Sequence, residues 1–221
     1  MKKISFFFAA SIVMASCNNA PSAKEAVTTD SQAALPGEGI PYQIDSATTV
    51  TWTGSKPTGK HDGTFKVSEG SLQVSGSNLT GGNFTIDMNS LLNNDLAADA
   101  DSKGKLEGHL KSSDFFDVAK YPTAKFVITG LEPYVADTAN NNVKFSGATH
   151  LVKGNLTLKD STKNISFPAI VKVDANTATA TSDFNIDRTL WGINYKGPNN
   201  PQDWFISKEV NIKLFLSASK K

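Results

Sequence analysis

Two adjacent phenylalanines, Phe115 and Phe116, stand between a polar stretch ending at Ser113 and a Tyr121-Pro122 corner. Successive side chains of a strand point to opposite faces, so the two rings cannot share one face of a regular strand. On a surface loop they would leave a large apolar area in water, at about 25 cal/mol per Å². The segment is therefore expected to cap an apolar interior, and the sequence on either side has to supply that interior.

It does so by alternation. Residues 48–56 place Val50 and Trp52 on one face, 63–68 place Phe65 and Val67, and 71–76 place Leu72 and Val74. Residues 83–88 put Phe84, Ile86 and Met88 opposite Thr85 and Asp87. This period of two predicts half-buried antiparallel strands, with a bulge or bend at Gly81-Gly82. After Leu92 the pattern stops. Residues 105–112 read as a short helix with Leu106 and Leu110 one turn apart, placed across one end of the fold. Strands are expected again at 124–130, from 143 to 147 after a polar turn at 139–142, and at 150–159. Three more follow at 165–173, 178–187 and 208–217, with Pro168 marking an edge or bulge. The fold class is all-β with one or two short helices, a sandwich or an up-and-down barrel of about eight antiparallel strands. No internal repeat is present.

The ends have a different character. Lys2 and Lys3, the apolar run 4–13 and Met14-Ala15-Ser16-Cys17 read as a lipoprotein signal peptide, residues 1–16, cleaved before a lipidated Cys17. Cys17 is the sole cysteine, so a disulfide framework is excluded. Residues 17–40, rich in Ala, Ser, Thr, Pro and Gly, are expected as a flexible tether, leaving 41–221 as one domain. That arrangement predicts a periplasm-facing protein held at a membrane by its lipid. A net charge of +1 without a basic stripe argues against nucleic-acid partners.

Few residues suggest chemistry. His61, His109 and His150 are the only histidines, and none are paired at zinc-site spacing. His109 fits a helix-terminus role. They leave open, as an alternative, a metal-handling protein or a small-molecule enzyme. No Gly-x-Ser-x-Gly elbow appears, and Asp114 and Asp117 read as turn residues. Arg188 is the only arginine, at a strand end with Trp191 close by; it suits either an ion pair with Asp183 or Asp187, or contact with a polar ligand head. Trp52, Phe65, Phe84, Met88, Phe115, Phe116, Phe126, Leu156, Leu158, Phe184, Ile186, Trp191, Ile212 and Leu214 are core in any fold. An eight-stranded barrel is wide enough to be filled by such residues or to hold a ligand among them. A filled barrel would suit an interaction module.

Several segments, in order, resemble the YceI-like family. They are Trp52-Thr53-Gly54-Ser55-Lys56, Gly63-Thr64-Phe65, Phe84-Thr85-Ile86-Asp87-Met88-Asn89-Ser90 and the stretch 109–126. Gly154-Asn155-Leu156-Thr157-Leu158, Asp183-Phe184-Asn185-Ile186-Asp187-Arg188 and Trp191-Gly192-Ile193-Asn194-Tyr195 follow. The resemblance runs from about residue 42 to 218. It departs from the family pattern at Lys159-Asp160, where the family carries His-Gly. It implies a lipocalin-like barrel that binds, without reaction or catalytic cofactor, a long isoprenoid or similar amphiphile such as a polyprenyl quinone or its precursor. The apolar set above, with Leu110 and Arg188, would then be the ligand contacts. A homodimer is a further partner to consider.

Overall fold

The computed structural model describes residues 23–135, 145–197 and 206–221. Its strands are β1 (Lys24–Glu25), β2 (Val27–Asp30), β3 (Ile40–Ile44), β4 (Thr49–Lys56), β5 (Gly59–Ser75) and β6 (Asn78–Asn93). After helix α1 (Ala100–Lys111) come β7 (Thr123–Pro133), β8 (His150–Leu158), β9 (Ser161–Val173) and β10 (Thr177–Asp187). A 3-10 turn (Arg188–Trp191) then leads to β11 (Glu209–Lys220). Strands β4 to β11 form a closed antiparallel barrel of eight. Each pairs with the next in sequence, β11 pairs with β4 (Ile212 opposite Trp52), and β9 meets β10 (Ala178 opposite Val173).

Local chemistry accounts for the elements. The expected strands 63–68 and 71–76 are one strand, β5. The polar Ser68-Glu69-Gly70 interval is a bend rather than a turn: Gly70 sits at φ +153°, where a Cβ would lie 2.5 Å from the Asn83 carbonyl oxygen. The predicted irregularity at Gly81-Gly82 is present as a register shift opposite Gln73 and Val74. Helix α1 starts earlier than its apolar residues indicate, because Asp99 caps it by accepting from the Ser102 N–H at 3.1 Å. Pro168 lies inside β9, between the stretch paired with β2 and the stretch paired with β10, where no ladder donor is required. Of the strand expected over 143–147, residues 143 and 144 lie outside the described residues, as does the expected turn 139–142. Phe145–Gly147 is a bend and turn, with Gly147 at φ +82°.

The described part of the expected tether is bound to the barrel. β10 and β9 part toward one end, and the N-terminal segment wedges into the gap. β1 pairs in parallel with β10 (Lys24 opposite Phe184) and β2 antiparallel with β9 (Asp30 opposite Lys163). The Ala26 N–H donates to the Asn185 carbonyl at 2.8 Å. The chain then crosses the outside of the barrel. The side-chain amide of Asn155 clamps the Gln32 backbone, its Oδ1 accepting from the N–H and its Nδ2 donating to the carbonyl, and the Leu35 N–H donates to the Ile128 carbonyl. Thr80 bonds the Glu38 backbone. Composition pointed to a tether because the segment offers little to bury, and Val27 is indeed exposed. The segment is held instead by main-chain hydrogen bonds, which composition does not reveal.

Candidate functional site

Inward-facing side chains divide the barrel into two halves. Leu72, Val74, Ile128, Val152, Val171, Ala178, Leu216 and Ala218 are buried against one another and fill one half. Toward the other end lies a cavity of about 290 Å³, bordered on every barrel strand by residues nearer that end. On β10 these are Phe184 and Ile186, and on β11 Val210, Ile212 and Leu214. Phe65 from β5, Met88 from β6, Ala124 from β7, Leu158 from β8 and Ile165 from β9 complete the wall. Beyond them stand stacked rings. Phe167 lies on Phe184 with centroids 4.1 Å apart and Phe84 on Phe126 at 5.3 Å, with Phe126 5.9 Å from Phe167. Gly154 makes room for this stack, since a Cβ there would lie 2.1 Å from the tip of Phe126.

The mouth is built from α1, the loop after it, and the segment following β10. Leu106 and Leu110 border the cavity from the helix. Asp117 takes a left-handed backbone at φ 49°, and the Asp117 and Val118 N–H groups bond back to Ser112 and Lys111. This tight return turns Phe115 and Phe116 inward; Phe116 meets Phe65 edge-on at 5.7 Å. The ring of His109 contacts Phe115 (5.2 Å) and Tyr195 (4.8 Å), and Phe115 contacts Tyr195, so an aromatic trio joins the two sides of the mouth. The polar groups here are few: Ser55, Lys56, His61, His109, Arg188 and Ser207.

Residues 42–218 match the YceI-like domain family. The chain belongs to that family. Among solved structures it is similar to Burkholderia cenocepacia BcnA, with 22% identity and a TM-score of 0.60 over 79% of this chain and 99% of that one. It is also similar to a polyisoprenoid binding domain from Saccharophagus degradans implicated in plant cell wall breakdown. There the identity is 17% and the TM-score 0.57, over 81% of this chain and 98% of that one. At these identities the likeness is one of fold. No curated protein matches the chain.

In this YceI-like barrel the expected contact residues border the cavity, with one exception. Trp191 is buried in the 3-10 turn, and its indole N–H donates to the Leu156 carbonyl at 3.0 Å. It supports the wall from behind. Arg188 does border the cavity, but its guanidinium is turned to main chain. It donates to the carbonyls of Ser207 (3.0 Å), Ile193, Tyr195 (3.0 Å) and Ile206 (3.3 Å). Four of its five N–H donors are thereby used. Burial pulls its pKa down, opposed by nearby Asp187. Asp187 forms its ion pair with Lys208 instead, at 2.9 Å, and caps the 3-10 turn through Thr189. Arg188 therefore fastens the loop that carries Tyr195 into the mouth, and the ion pair expected for it is made by Lys208 instead.

The three histidines are not brought together. His61 pairs with Asp95 at 2.8 Å and His109 with Asp114 at 2.9 Å, both at the mouth. His150 begins β8 at the filled end, opposite Pro133 and Ala169. Among the described residues no group of three or more His, Cys, Asp or Glu could hold a metal ion. Sequence reasoning left out Val50, Ile165, Phe167 and Val210 as contacts, although each continues the inward parity of its strand.

Proposed function

We propose that this chain binds a long-chain isoprenoid or similar amphiphilic lipid in its half-hollow barrel, and carries or sequesters it without reaction. The observation that carries the reading is the cavity itself: about 290 Å³, walled by aliphatic and aromatic side chains, and joined to the surface beside α1. Burial of tail surface would supply most of the binding, which is non-directional and tolerant of tail type. A polyprenyl quinone or its precursor is one ligand of this kind. The polyisoprenoid binding named for the similar Saccharophagus degradans domain supports the same reading. Mass spectrometry of organic extracts from the purified protein tests it. A co-purifying isoprenoid amphiphile is the expected result, and an empty extract together with no uptake of added lipid would overturn it.

The same proposal includes residues 1–16 as a signal peptide and a lipid on Cys17, which would hold the protein at a membrane facing the periplasm. Its support is the sequence Met14-Ala15-Ser16-Cys17 behind a basic start and an apolar run. Cys17→Ser should move the protein from the membrane to the soluble fraction; if the variant stays with the membrane, the anchor is not there.

A further inference from the structure

Two polar atoms on β4 have no partner among the described residues. The indole Nε1–H of Trp52 and the Oγ of Ser55 are buried and unbonded, and both residues border the cavity. Trp52 is 8% exposed and Ser55 4%. A buried donor without an acceptor is costly, and native structures rarely tolerate one without a reason. The indole is also held in place. Gly63 lies opposite Trp52 on β5, and a Cβ there would come 2.6 Å from Cζ2 and 2.7 Å from Cε2, the ring carbon bonded to Nε1. The ring thus packs on bare main chain and cannot readily swing to find another acceptor.

The charges at the rim limit what completes this site. Arg188 has spent four of its donors on carbonyls. The two rim histidines each face a carboxylate, Asp95 and Asp114, so negative charge stands close to the opening. Lys56 is exposed at the strand end. An anionic head would lose its hydration beneath the rim and find there only the one donor that the Arg188 guanidinium has left.

Resting on the lipid-binding reading, we infer that Trp52 forms a subsite beneath the rim for a neutral oxygen-bearing group, a ketone or ester carbonyl. The carbonyl oxygen accepts from Trp52 Nε1–H. The subsite therefore selects an uncharged oxygenated head over both a bare hydrocarbon and a phosphorylated one.

The test compares methyl tridecyl ketone with pentadecane on wild-type protein and on Trp52→Phe, which keeps an aromatic ring and removes the donor. The expected result is a roughly tenfold loss of ketone affinity, as for removal of one buried hydrogen bond. Pentadecane, which meets Trp52 only through ring contact, should lose clearly less affinity than the ketone in the same variant, so the ratio of the two losses is the readout. Equal weakening of both ligands, or no change in either, would overturn the subsite and leave lipid binding standing. Binding of neither ligand to wild-type protein would overturn both. Should Trp52→Phe fail to fold, the indole N–H resonance of Trp52 in wild-type protein, assigned through its contact with Gly63, gives the answer. It should move downfield with the ketone and not with pentadecane; an unmoved resonance removes the subsite.

Discussion

Adding the same side chain to the two halves of the barrel should have opposite effects. Ala124 borders the cavity, whereas Ala178 faces the filled half beside Val173 and Ala218; both are almost fully buried. Leucine in place of alanine adds three carbons, worth about 0.8 kcal/mol each when buried. At Ala124 the addition enters open space, so about 2 kcal/mol is gained, less about 0.5–1 kcal/mol for the lost rotamer freedom of leucine. Ala124→Leu should stabilise the ligand-free protein by about 1–2 kcal/mol. At Ala178 there is no space, and overpacking should destabilise by about 1–3 kcal/mol. Urea denaturation of ligand-free protein, with equal m-values required, reads both. Lipid uptake should fall in Ala124→Leu alone. If Ala124→Leu is destabilised as much as Ala178→Leu, the mouth half is not open and the division of the barrel is wrong.

Arg188→Lys should strand at least one of the four carbonyls now bonded by the guanidinium, since an ammonium has three donors, at a cost of about 1–3 kcal/mol; thermal melting measures the loss, and affinities for a headed lipid and a bare chain should weaken alike. Gly63→Ala should cost about 1–3 kcal/mol, because its Cβ would fall 1.8 Å from the Leu92 carbonyl oxygen and against the Trp52 ring; a shift in tryptophan emission should accompany it. Burial alone would raise the Asp187 carboxyl, but bonds from Thr189 and Lys208 outweigh it and hold its pKa below the ordinary range. A carboxyl depressed in the folded state binds its proton more tightly once unfolded, so this stabilisation is full above about pH 4 and is lost as pH falls further. Asp187→Asn should flatten that acid limb of the stability profile, as followed by denaturation at a series of pH values.

Period-two alternation made the barrel strands legible, because each strand has one wet and one dry face and the sequence records the difference. It also gave most of the cavity wall, since facing inward and bordering the cavity coincide in the mouth half. Phe115 and Phe116 were legible as a cap for the reason that two consecutive rings need one. What stayed hidden was held by main chain. The wedge at 24–30 buries almost no side-chain surface, so its composition matched a linker. Arg188 looked like a ligand contact because a lone arginine near aromatic residues suggests a head group. Its partners are carbonyls, which no side-chain pattern announces. Trp191 shares a segment with cavity residues but sits on the 3-10 turn, where strand parity no longer applies. The unpaired Trp52 donor was equally invisible, because an absent partner can only be read from coordinates.

The N-terminal wedge shortens any leash on the barrel. A free chain from Cys17 to residue 40 could extend about 80 Å. With the segment pinned from Lys24 onward, the distance from Cys17 to the first pinned residue is at most about 25 Å. The pinning point lies beside Phe184, three residues before β10 ends at Asp187 on the mouth side, a distance of about 10 Å. For a protein moored by acyl chains at Cys17, the opening would sit no farther from the headgroups than about one bilayer thickness. The same pairing that closes the gap between β9 and β10 would thus keep the mouth near the membrane, and a lipid leaving the bilayer would have no longer path than that to the apolar wall.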